Sequence, residues 1–261
     1  MAENQTVLFH STVFGPIHSR RLGTSLGINL APDDGKVCTF DCIYCEAGYN
    51  RQGTGTTGLA TREKLEDDLR RKLAEMHAAG MDLDVITFSG NGEPTINPDF
   101  PAIVDTVIAL RDEFYPEAKV SVLTNSTRIF TPAVASALDK VDNNILKLDS
   151  AVEETMRLID NPTERSFTVA KAVEGLCRFA GTGIIQTMML RGKHNGKAVD
   201  NTTDAEIDAL IEAYQRIKPR EVMLYSLDRS TPEENLVKVE HDELERIADR
   251  IRRAGITVAV S

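Results

Sequence analysis

Residues 119–150 read KVSVLTNSTRIFTPAVASALDKVDNNILKLDS. Two short apolar runs, KVSVLT at 119–124 and NILKLD at 144–149, flank a helical pattern at 132–140. Thr131 followed by Pro132 sets an N-cap before a proline at the first helical position, where the missing N–H costs nothing. Strand, helix and strand at this spacing predict one crossover unit with parallel strands and a right-handed connection.

The same alternation continues in both directions. Strands are predicted at 25–30 (SLGINL), 84–89 (DVITFS), 184–190 (IIQTMML), 221–227 (EVMLYSL) and 256–260 (ITVAV). Helices are predicted near 62–79, 99–114, 165–180, 203–217 and 241–254. Asn97 before Pro98 repeats the cap-then-proline signal. Thr203 with Glu206, and Asp242 with Glu245, have capping-box spacing. Gly80 stands where a C-terminal cap belongs. Six strand–helix units define an α/β fold with a parallel sheet. They fall short of the eight units of a complete barrel. The expectation is a partial (β/α)6 TIM-like barrel with outer helices, a single core domain over 1–261.

Strand faces support a barrel over a flat sheet. Residues i and i+2 of a strand share a face. Asn144, Leu146 and Leu148 take one face, and Ile145, Lys147 and Asp149 the other. Ser121, Leu123 and Asn125 share a face, and Gln186 lies in mid-strand. Unpartnered polar groups are costly to bury, so a concave inner face open to ligand and water is expected. Local hydrogen bonding at strand ends is the alternative; it suits Asn125 and Asp149 and suits Gln186 poorly.

Bulk properties narrow the function. No run approaches ~18 apolar residues, so no membrane-spanning helix is expected. The opening MAENQTVLFH lacks the basic and apolar regions of a signal peptide, which points to a cytoplasmic protein. A net charge of −10, from 30 basic and 40 acidic residues, weighs against a general nucleic-acid or membrane binder. The Gly- and Thr-rich stretch 46–61 is expected to be a flexible loop.

Three of the four cysteines crowd into KVCTFDCIYCEAG, the loop after the first predicted strand: Cys38, Cys42 and Cys45, spaced C-x3-C-x2-C. Structural disulfides are rare in a reducing compartment, so clustered cysteines point to a metal or an iron–sulfur cluster. Three thiolates can grip three irons of a [4Fe-4S] cube and leave one open. Zinc is the alternative. It needs four protein ligands, the fourth coming from Cys177 or a distant histidine.

CTFDCIYC resembles the C-x3-C-x-aromatic-C motif of the radical S-adenosylmethionine superfamily, with Tyr44 as the aromatic residue. The resemblance implies a partial barrel, a [4Fe-4S] cluster on Cys38, Cys42 and Cys45, and S-adenosyl-L-methionine at the open iron. Reductive cleavage of that cofactor to a 5′-deoxyadenosyl radical, and hydrogen abstraction from a substrate, are implied too. SGNGEPT at 89–95 is similar to the family's "GGE" motif, which meets the cofactor's amino group. Ser89, Gly90, Asn91, Gly92 and Glu93 are therefore candidate cofactor contacts; Asn91 interrupts the motif, and Glu93 is expected to support the loop. LTNS at 123–126 (Asn125, Ser126), Lys147, Asp149 and Gln186 are further candidates by position. Leu224, in MLYSL, resembles the adenine-contacting segment through its backbone. The implied partners are an external one-electron donor of flavodoxin or ferredoxin type and an unidentified substrate, with no membrane.

The opening 13–45, VFGPIHSRRLGTSLGINLAPDDGKVCTFDCIYC, is similar to stand-alone iron–sulfur oxidoreductases related to the core of the tRNA wyosine-synthesis enzyme. Only Cys177 lies outside the motif, so that enzyme's second cluster is not expected, nor is a C-terminal cysteine-rich domain. Cys177 sits in a helical pattern as a small apolar residue. His18, Arg20 and Arg21 could meet an anion or form a solvated turn. The stretch 191–200 (RGKHNGKAVD) reads as a basic loop at the barrel mouth. The rivals are a tRNA-modifying radical enzyme, a glycyl-radical activating enzyme and a zinc-stabilised binding protein.

Overall fold

The computed structural model describes residues 7–19, 23–229 and 231–261. Seven parallel strands form its backbone: β2 (Gly23–Ile28), β3 (Val85–Phe88), β4 (Lys119–Thr124), β5 (Asn143–Lys147), β6 (Ile184–His194), β8 (Glu221–Ser226) and β10 (Val258–Val260). They lie side by side in that order, with β1 (Val13–Ser19) antiparallel on the β2 edge. The sheet stays open between β1 and β10. The fold is thus α/β, a partial barrel, as the alternation predicts.

Helices α1 (Arg62–Ala78), α2 (Phe100–Phe114), α3 (Pro132–Leu138), α4 (Glu153–Ile159), α5 (Val169–Leu176), α6 (Asp204–Ile217) and α7 (His241–Arg253) fill the crossovers. The first shows why they pack: Leu65, Leu69, Leu73 and Met76 repeat at helical spacing and are all buried. They meet the even-numbered residues of β2 to β5, including Leu26, Ile28, Ile86, Phe88, Val120, Val122 and Leu146, in one large core. Among the described residues no helix is long and apolar enough to cross a membrane.

Some local expectations need correction. Helix α2 starts at Phe100, not after Asn97; Asn97 instead accepts from the Asp99 amide through Oδ1 at 2.9 Å and donates to the Ala60 carbonyl. Thr203 caps α6 as expected, but Glu206 turns away from the cap to accept from Ser150 Oγ. Asp242 lies inside α7, whose capping residue is Glu240. The segment 191–200 is not a loop. Strand β6 runs on to His194, turns at Asn195 and Gly196 with φ of 50° and 77°, and returns as β7 (Lys197–Asp200). Asn-Gly is the favoured pair for a hairpin turn with two positive φ values. A further strand, β9 (Leu236–Lys238), pairs with the same extension.

Candidate cofactor site

The two faces of the sheet differ as the strand pattern requires. In β8, Val222, Leu224 and Ser226 are buried under the helices, while Glu221, Met223 and Tyr225 on the other face are half-exposed. Leu123 of β4 and Lys147 of β5 are likewise half-exposed on the inner side. Polar pairs line this concave face: Ser25 with Thr87, and Ser121 with Asn143, each at 3.0 Å. Gln186 belongs to the same face.

The cysteine loop folds across the carboxyl ends of these strands. Backbone hydrogen bonds fasten it on both flanks. On one, the Asp41 and Ile43 amides donate to the Asp160 and Ile159 carbonyls at the end of α4. On the other, the Val37 amide donates to the Asn91 carbonyl and the Val37 carbonyl accepts from the Glu93 amide, both at 3.0 Å. Gly92 permits that second seam. Its φ is 150°, and a Cβ there would stand 1.9 Å from the Val37 carbonyl oxygen.

Within the loop the Cys45 amide donates to the Cys42 carbonyl, so the last two cysteines share a turn. Cys42 Sγ lies 3.6 Å from Asp160 Oδ1, and Cys38 Sγ accepts from Asn125 Nδ2 at 3.5 Å. Each sulfur lies within electrostatic reach of the other two and of the buried Lys36 ammonium. Burial pushes the Cys38 thiol up to about 12 and the Cys42 thiol well above its ordinary value. A free thiolate is therefore unfavourable there, and a metal must displace the protons as it binds.

The structure brings most of the predicted site residues together. Glu93 supports its loop: its carboxylate accepts from the Thr95 amide, the Thr95 and Thr124 hydroxyls and the Asn125 amide. Asn125 in turn braces Cys38, Thr39 and Thr127. Ser126 Oγ, beyond the end of β4, is buried without a partner among the described residues. Ser89, Gly90 and Gly92 are partly exposed at the strand ends. Asn91 is fully buried and faces away, its amide bonded to Phe9 and Pro32. Leu224 is also not brought to the site: its side chain lies under the helices and its carbonyl accepts from the Ser261 amide.

A buried charged network lies behind Cys42. Asp149, fully buried, accepts from Tyr44, from Lys147 Nζ at 3.0 Å and from the Met188 amide at 2.9 Å. Tyr44 also accepts from Lys147. Burial, with the Asp149 charge beside it, pushes the Asp160 carboxyl well above the usual carboxylate range. That environment favours the protonated form of the Asp160 carboxyl. Burial opposes the Lys147 ammonium, but Asp149 and its neighbours outweigh that and hold the pKa well above the ordinary lysine value. The sequence marked Tyr44, Lys147 and Asp149 as separate candidates; the structure shows them in direct contact, with Asp160 as an additional member.

Other sequence candidates lie apart. Arg191 binds Thr202 and Glu243 on the outer side. Cys177, at the end of α5, packs on the large core and contacts the Arg216 carbonyl. His18 is exposed on β1, and Arg20 and Arg21 lie outside the described residues.

The donor set fits a cluster better than a single ion. Among the described residues no three His, Cys, Asp or Glu side chains converge to hold one metal ion. Tetrahedral zinc requires such convergence. Three thiolates that each hold a different iron do not.

The profile of the radical SAM superfamily matches residues 34–199, most of the chain, including the cysteine loop, Glu93, Asn125 and Asp149. The chain belongs to that superfamily. It is accordingly an enzyme, and its cofactors are a [4Fe-4S] cluster and S-adenosyl-L-methionine. More particularly, it is 30% identical over 225 residues to a UPF0026 protein of Synechocystis sp., covering 84% of this chain and 77% of that one. It is 33% identical to a UPF0026 protein of Methanocaldococcus jannaschii over 68% of this chain and 53% of the relative. A Brachyspira hyodysenteriae protein named GTPase Obg is 31% identical over 90% of this chain, yet the chain spans only 32% of its length. Among solved structures, a radical SAM methyltransferase from Sphaerobacter thermophilus superposes with a TM-score of 0.67 at 17% identity, covering 91% of this chain and 65% of that one. TYW1 with a lysine–pyruvate adduct bound gives 0.61 at 15% identity, over 89% and 75%. At such identities these two establish the fold alone.

Proposed function

We propose that Cys38, Cys42 and Cys45 each hold one iron of the cluster, and that S-adenosylmethionine lies between the cysteine loop and the strand ends. The gathering of the three thiols on one loop that folds across the strand ends, each within electrostatic reach of the others, carries this reading. When bound, the cluster and cofactor supply a 5′-deoxyadenosyl radical able to abstract hydrogen from an organic substrate. The chain's own residues position and enclose. Ser89, Gly90 and Gly92 offer backbone at the ends of the inner strands. Ser126 offers a buried hydroxyl in want of a partner. Asn125 and Glu93 fix the wall against which Cys38 rests. The apolar cluster of Phe40, Ile43, Tyr44, Met188 and Leu190 excludes water behind the loop.

The substrate enters beside the cysteine loop, where a cleft of about 360 Å³ is lined by Asp41, Tyr49, Arg51, His194 and Glu233. These side chains favour a polar substrate over an apolar one. An external flavodoxin- or ferredoxin-type donor supplies the electron. The test is anaerobic reconstitution, reduction with dithionite and mass-spectrometric detection of 5′-deoxyadenosine. Product from the wild type and none from Cys42→Ala supports the assignment. Equal product from both contradicts it.

A further inference from the structure

Lys36 is the least expected charge in the molecule. Its side chain is 2% exposed, within a loop that carries no regular secondary structure around it. Burying an ammonium is costly unless other groups compensate it, and here they do. Nζ donates to the Gly48 carbonyl at 2.7 Å and lies 3.6 Å from Asp41 Oδ1. Gly48 is three residues beyond Cys45, and its amide bonds back to the Cys45 carbonyl. Lys36 is two residues before Cys38, and Asp41 sits between Cys38 and Cys42. The ammonium thus joins the beginning, middle and end of the cysteine loop from inside.

Asp41 does not fully neutralise this charge. It is more exposed than Lys36, and its Oδ1 also accepts from the Asn50 amide at 2.6 Å. The lysine has no second carboxylate among the ion pairs of the described residues. A buried cation held inside the loop that carries the three sulfur ligands is therefore left to interact with whatever charge those ligands carry.

We propose that Lys36 is a positioning residue that sets the reduction potential of the cluster, its fixed positive charge favouring the reduced state. The inference rests on the cysteine assignment above. Reduction transfers one electron from the external donor to the cluster and adds one negative charge at the site. A cation in a low-dielectric setting stabilises the added charge more than the starting state. Iron–sulfur potentials respond to net charge, hydrogen bonding at sulfur and exposure. Lys36 contributes the first of these.

The test compares the reconstituted wild type with Lys36→Met, which keeps the chain length and removes the charge, and with Lys36→Arg, which keeps the charge. Iron and sulfide content come first, then the midpoint potential by a spectroscopic redox titration with dithionite. Lys36→Met should hold the cluster and make reduction at least tenfold less favourable, about 59 mV more negative for one electron. Lys36→Arg should stay close to the wild type. An unchanged potential in Lys36→Met overturns the proposal, as does an equal fall in both variants. Loss of the cluster from Lys36→Met with retention in Lys36→Arg overturns it as well, because the charge would then serve cluster uptake and not its potential. Loss from both variants overturns it and makes Lys36 a loop-folding residue. A wild type that takes up no cluster contradicts the cysteine assignment instead.

Discussion

Gly92 and Val37 meet backbone to backbone, and their contact joins the cysteine loop to the strand-end loop at 89–95. No side chain fits there, because the first carbon would stand 1.9 Å from the Val37 carbonyl oxygen. Gly92→Ala should therefore unseat the loop. The left-handed backbone adds strain of about 1–3 kcal/mol. Iron content after reconstitution should fall several-fold while the helical circular dichroism signal is kept. Full iron incorporation in Gly92→Ala would show that the seam does not hold the site.

Asp149 is the common partner of Tyr44, Lys147 and Asp160. Asp149→Ala leaves Lys147 without its carboxylate and Tyr44 without its acceptor in a buried setting. Breaking such a pair from one side costs about 3 kcal/mol or more. Urea denaturation of the cluster-free protein should show that loss. A change under 1 kcal/mol would mean that water reaches the network.

Asp142 makes a pH-dependent contribution. Burial raises its carboxyl pKa, but the Val120 amide and the Arg111 guanidinium outweigh burial and hold it below the ordinary value. With the folded pKa depressed, the stabilisation is complete above the unfolded value near pH 4. It disappears as pH falls through the lower folded value. Asp142→Asn should cost about 1 kcal/mol at pH 7, allowing for partial exposure. The gap from the wild type should close below pH 4 in denaturation curves taken across that range. A gap that persists at pH 2 would assign the effect to shape and not to charge.

Asn144 is a buried residue on the helix-facing side of β5, and neither polar atom of its side chain has a partner among the described residues. Asn144→Val removes that desolvation cost at similar volume. Stability should rise by about 1 kcal/mol, seen as a higher urea midpoint. A lower midpoint would reveal a hydrogen-bond partner that Asn144 meets in solution.

Much of this was legible in the chain because periodicity and punctuation agree. Thr131-Pro132 and Thr203 mark helices that form where they predict, and the odd–even split of 144–149 matches the two faces of β5. What escaped was short or mixed in signal. Helix α4 has seven residues, too few for a period to declare itself. Strand β1 carries Gly15-Pro16, which argues against a strand; the pair sits at an irregular step in the register, on an edge where proline is tolerated. The β6–β7 hairpin was announced by Asn195-Gly196, but its basic residues drew attention as a loop. At the site, the cysteines, Glu93 and Asn125 were readable from motif and order. Lys36 and Asp160 were not: nothing local shows that a lysine before a cysteine points inward, or that a residue far along the chain returns to Cys42.

The most direct test of the central assignment is metal analysis of anaerobically reconstituted protein in three forms: wild type, Cys42→Ala and Cys177→Ala. Iron and sulfide matching one [4Fe-4S] cluster per chain in the wild type and in Cys177→Ala, and little of either in Cys42→Ala, is the predicted result. Loss of iron from Cys177→Ala, or stoichiometric zinc in place of iron, would contradict it.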